Sequence, residues 1–241
     1  MSEPVARGLR SGLDAMRTDD TTVGRRRAGF SLLEIMVVVA ILGLLVAVAG
    51  PQLGEFARNQ RVRSAARSVA DAFLLARAEA IRTGNAHIVF LAAGPAGGPP
   101  ATDPAGTALG AAAVVLNDGP AGIWNCRIDP GEARTDVPVR DGIAWGFARS
   151  GGQPAPGDDP GADPSAGATF RDAAGNPVTW VLFRGDGIPL TFDAGCNLAP
   201  IGSGGGGVYV TNGNRDYAVV LSPLGAVRVH AFEVGADAWT D

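Results

Sequence analysis

The chemistry of this chain concentrates in one short stretch. Gly29 to Glu34 read GFSLLE, with Arg25 to Arg27 just before them and a 15-residue apolar run, Ile35 to Ala49, just after. A carboxylate inside a membrane-length helix costs about 2.5–3.5 kcal/mol at the bilayer centre and less near the interface. Glu34 therefore needs a positive partner. Cutting the chain before Phe30 would create one, a new terminal ammonium. Two charges in a low-dielectric helix bundle tolerate burial only as a pair.

GFSLLE followed by the apolar run resembles the class III signal of type IV pilins and type II secretion pseudopilins. In that family a membrane peptidase cuts after the glycine and methylates the new amine. The resemblance implies cleavage between Gly29 and Phe30 and N-methylation of Phe30. It also implies that Glu34 sets filament register, by pairing with the N-terminal ammonium of a neighbouring subunit. Pro51 matches a proline common in pilin stalk helices. An ordinary secretory signal peptide fits poorly, because no apolar core precedes Phe30 and no clean small-x-small site follows the run. A simple membrane anchor would explain the length of the run but not the register of Gly29, Phe30 and Glu34.

Three further stretches narrow the resemblance to GspH/FimT-type minor pseudopilins. Arg77 to Ile81 (RAEAI) is similar to their LARSEAI stretch, Phe183 to Gly187 fits an F-x-x-x-G turn, and Ser222 to Val229 (SPLGAVRV) is similar to their SPTGRVR ending. The implied function is that of a minor pseudopilin, a structural subunit at the tip of the periplasmic filament of a type II secretion system. The alternative is a FimT-like minor type IV pilin in pilus assembly or DNA uptake. The implied partners are a prepilin peptidase, other major and minor pseudopilins or pilins, and the inner membrane. About Gly94 to Ala168, no pattern matches.

Charge separates along the chain. All 20 basic residues are arginine. From Phe30 onward 14 arginines face 20 acids, a formal charge of −6. Gln52 to Gly84 carries +3, and everything from Asn85 onward carries −8. An acidic head argues against a nucleic-acid partner, because phosphate binding rests on clustered positive charge. Arg215 and Arg228 are the candidates for such contacts. The basic leader stays cytoplasmic by the positive-inside rule, which places the head in the periplasm.

Four segments follow: a cleaved leader (1–29), a transmembrane and filament-core helix (30–50), an amphipathic stalk helix (51–84) and a β-rich head (85–241). Leu53, Phe56, Val62, Ala65, Ala66, Val69, Ala72, Phe73, Ala76, Ala80 and Ile81 recur at helical spacing and predict a stripe that packs on a sheet. Pro51 should kink or melt the helix locally, and Gly84-Asn85 should stop it. Strands are predicted at 87–91, 113–116, 123–128, 143–147, 178–183, 189–192, 208–211, 217–221 and 226–232. The expected fold class is α+β, a long N-terminal helix packed on an antiparallel sheet.

No catalytic, cofactor-binding or metal-ligating set is expected. Without lysine there is no Walker A loop, so Gly202 to Gly207 reads as a flexible loop. His87 and His230 read as half-buried or exposed strand residues, and no paired-histidine motif occurs. Asp158, Asp159 and Asp163 read as a solvated acidic loop, with calcium ligation the weaker alternative. Trp239 is expected near the surface. Cys126 and Cys196 lie in the head. A bridge between them would close a loop of about 70 residues and stabilise by roughly 4 kcal/mol; two separate buried thiols are the alternative.

Overall fold

The computed structural model describes residues 30–94, 101–119, 123–138 and 141–240. Among the described residues one long helix, α1 (Leu32–Thr83), comes first, and ten strands follow with one short 3-10 turn (Pro164–Ala166) between them. The chain divides into two compact units, 1–48 and 49–241. In the first, the described residues are the apolar half of α1, and the side chains from Phe30 to Ala47 are exposed. The helix is continuous through Pro51, so the melting expected there does not occur.

The second unit is the α+β head with the rest of α1. Val62, Ala66, Val69, Phe73, Ala76 and Ala80 step by four and three residues and are all buried. That spacing keeps one face of the helix against the sheets. The stripe is shorter than its sequence suggests. Leu53, Phe56 and Ile81 are 66%, 62% and 54% exposed, and the buried face begins at Val62. The Gly84 N–H donates to the Ala80 carbonyl at 2.9 Å and closes the last turn.

The head holds two five-stranded antiparallel sheets where one was expected. The first has the order β3 (Arg134–Val137), β2 (Ala113–Asn117), β1 (His87–Leu91), β5 (Trp180–Phe183), β6 (Pro189–Leu190). The second runs β10 (Ala238–Thr240), β9 (Val227–Glu233), β8 (Asp216–Leu221), β7 (Gly206–Thr211), β4 (Ala144–Trp145). Both sheets give one face to the core shared with α1. Val89, Leu91, Val181 and Phe183 come from the first sheet, and Val208, Val210, Val219 and Leu221 from the second.

The opposite faces are covered too. Ile88, Phe90, Val114 and Leu182 pack under Leu109, Ala111, Cys126 and Phe192. Tyr209, Ala218 and Val220 pack under Ala155 and Trp239. Strands buried on both faces lose the polar half of the alternation, which is why β1, β7 and β8 are buried at every position. Much of the stretch from 94 to 168 thus forms covering layers over both sheets and supplies β2, β3 and β4.

Two strand expectations fail in instructive ways. Residues 123–128 form turns rather than a strand. Cys126 has φ 60°, outside the strand region, and its N–H is held at 2.7 Å by the buried Asp118 carboxylate. Conversely, Gly206 and Gly207 are not part of a flexible loop; they open the buried strand β7. A Cβ on Gly206 would lie 2.5 Å from the Phe170 ring, and one on Gly207 would lie 2.5 Å from the Asp158 carboxylate. The glycines are there for close approach, not mobility. Strands β3 and β10 were not anticipated.

Candidate functional site

At the start of α1, Ser31 is the last non-helical residue, and its carbonyl accepts from the Ile35 N–H at 3.1 Å. Glu34 stands in the first helical turn. Ser31-Leu32-Leu33-Glu34 is thus an S-x-x-E pattern placed at a helix start, with the acid three residues after the cap position. A carboxylate there also meets the positive end of the helix macrodipole. Phe30 is 76% exposed beside it. Gly29 lies outside the described residues. From Leu32 to Ala49 the helix would rise about 27 Å at 1.5 Å per residue, close to a hydrocarbon thickness of about 30 Å. Among the described residues α1 alone is long and apolar enough to cross a membrane.

The three other stretches singled out in the sequence meet at one place in the head. Arg77 donates from Nη1 to the Gly225 carbonyl at 2.9 Å. Gly225 (φ 83°) belongs to the β8–β9 turn, and Gly187 (φ 77°) to the β5–β6 turn. A Cβ on Gly187 would come within 2.6 Å of Ile81 and 3.3 Å of Arg77; one on Gly225 would meet Arg77 and the Gly187 carbonyl at 3.1 Å. RAEAI, the F-x-x-x-G turn and the SPLG hairpin therefore form one junction. A single arginine of the stalk helix packs against a turn from each sheet.

Residues 24–50 match the prokaryotic N-terminal methylation motif. No curated protein and no solved structure matches the chain. The match runs from Gly24 to Gly50, so Arg25 to Arg27, Phe30, Glu34 and the apolar run all fall within it. It supports a type IV pilin-like protein, processed by a prepilin peptidase and assembling with pilin-like subunits. The apolar helix is consistent with membrane anchoring of such a protein. The motif is that of a structural class rather than an enzymatic one.

The remaining candidates serve the fold. Cys126 and Cys196 are joined as a disulfide, with Cα atoms 5.6 Å apart, beneath the outer face of the first sheet. Tyr209 donates to Asp158 at 2.6 Å, and Thr169 donates to the same carboxylate at 2.9 Å. Asp159 and Asp163 accept from the backbone N–H groups of Gly161 and Ser165, both at 2.9 Å. Asp158 thus ties its loop to β7, Asp159 and Asp163 accept from their own loop, and among the described residues no group of three or more potential ligands could hold a metal ion. Burial, then the bond to Asp158, raises the Tyr209 phenol pKa far above its usual value.

His87 and His230 are both buried, at 4% and 1% exposure, rather than half-exposed. Burial lowers the His87 pKa. Trp239 is half-buried, its ring centroid 5.8 Å from that of Tyr209 and 5.3 Å from that of Phe232. Arg228 is exposed on β9, whereas Arg215 lines a cleft together with Arg63 and Arg67. Sequence reading places Arg63 and Arg67 mainly off the apolar stripe and gives neither a binding role. Their spacing of four residues was the available signal, since it places them on one helix face.

Proposed function

We propose that the chain is a minor pseudopilin of a type II secretion system. It is cut between Gly29 and Phe30, methylated on Phe30, held in the inner membrane by residues 30–50, and built into the tip of a periplasmic filament that moves folded cargo outward. The stalk (51–84) and head (85–241) lie in the periplasm, with no catalytic task. Glu34 sets register by pairing with a neighbour's terminal ammonium. The observation that carries this reading is the methylation motif at residues 24–50, with Glu34 in the first turn of an exposed apolar helix.

A FimT-like minor type IV pilin shares all of this helix physics and differs in the machinery served. The experiment is to express the full chain with a prepilin peptidase and measure the intact mass of the membrane-extracted product. A start at methylated Phe30, together with loss of filament incorporation in Glu34→Ala, is the expected result. A different start, or unchanged incorporation, would refute the reading. Deleting the gene in its host separates the two machineries. Loss of exported enzymes points to secretion, and loss of pilus-dependent phenotypes points to the pilin.

A further inference from the structure

The arginines of the stalk helix divide between two flanks of the head. Arg58 and Arg61 line a hollow that also contains Asp141. Arg63 and Arg67 instead line a cleft of about 360 Å³ with Arg215 and Tyr217, and among the described residues only one acid, Glu233, shares it. None of these three arginines takes part in an ion pair among the described residues. Like charges gathered in one concavity repel each other, and the arrangement invites an anionic occupant.

We propose that this cleft docks an acidic segment of a neighbouring pilin-like subunit, with its carboxylates on Arg63, Arg67 and Arg215. The inference rests on the filament reading above. The fork geometry of guanidinium matches carboxylates in pairs. Val229 and Ala231 in the same wall give apolar surface for the stems of glutamate side chains. The chain from Asn85 onward carries −8, so a subunit of similar composition presents carboxylates, while this flank presents cations. Duplex DNA fits less well. It needs an extended basic track, and here the cations converge on a pocket within an otherwise acidic head, with Arg228 outside it.

The test uses the full chain in non-ionic detergent and a fluorescent octaglutamate peptide, read by anisotropy at low salt. Saturable binding is expected, weakened tenfold or more in Arg67→Ala and in Arg215→Ala, unchanged in Arg228→Ala, and lost progressively as salt rises. A paired variant, Arg63→Gln with Arg67→Gln, keeps polar side chains and should lose binding as fully. Equal binding by all variants would overturn the proposal, as would a 12-base-pair duplex displacing the peptide from the wild type. Because the subunits are unassembled, failure here leaves the Phe30 start and the Glu34 dependence untouched. Failure of maturation, conversely, leaves binding at this cleft measurable.

Discussion

Arg77 on the stalk helix donates to the carbonyl of Gly225, 148 residues later in the sequence, at 2.9 Å. That bond, together with the Arg77 side chain's contact with Gly187, fastens α1 to turns of both sheets. Arg77→Ala would leave the Gly225 carbonyl without its donor and open a gap under two turns, at a cost of about 1–3 kcal/mol. Arg77→Lys should recover little of this, because an ammonium cannot reproduce the planar fork. Thermal unfolding of the three proteins in detergent checks the ordering.

The two turn glycines should be equally intolerant. Gly187→Ala places a methyl group 2.6 Å from Ile81 at a φ of 77°, where L residues are strained. A loss of about 1–3 kcal/mol is expected. Ile81→Ala relieves the clash but not the backbone strain. The double variant should therefore recover part of the single variant's loss and not all of it, which a double-mutant cycle measures.

Asp118 gives a pH signature. It is 3% exposed, and burial raises its pKa to about 6, against the opposing hydrogen bond from the Cys126 N–H. Between pH 4 and 6 the folded protein keeps a proton that the unfolded chain has released. Stability from this group is therefore greatest below pH 4, falls as pH rises through 6 and is level above that. The difference between wild type and Asp118→Asn should change by about 2–3 kcal/mol across that window. A difference that stays constant from pH 4 to 7 would refute this assignment.

Reduction tests the covering layer. The Cys126–Cys196 link spans 70 residues and lies under the outer face of the first sheet. Dithiothreitol, or Cys126→Ser with Cys196→Ser, should lower stability by about 4 kcal/mol in the chain-entropy account. Proteolysis should then begin in the loops around residues 123–129 before the strands open. Unchanged melting under reductant would count against it.

What could be read from sequence followed how local the cause was. The N-terminal methylation motif was legible because it is written in adjacent residues, and the α+β class was legible from the change of period after Asn85. Residues 123–128 misled because Trp124, Cys126 and Ile128 alternate like a strand, while a buried aspartate eight residues before Cys126 fixes the backbone otherwise. β3 was missed because its Arg134-Thr-Asp-Val sequence is charged and largely exposed, as suits an edge. Gly206 and Gly207 looked mobile because the aromatic ring and carboxylate that crowd them come from distant loops. The Arg63–Arg67–Arg215 cleft is assembled from a helix and a hairpin, a convergence that no window of sequence contains.

The exposed Phe30 has a practical consequence in a polypeptide without a single lysine. Once trimmed there, these residues would offer amine-directed reagents one nitrogen alone, the backbone terminus itself. A dye or biotin attached through that nitrogen would tag each subunit once, at the position where the proposed polymer contacts would form. Its accessibility would then count how many subunits stand free and how many have been drawn into the fibre.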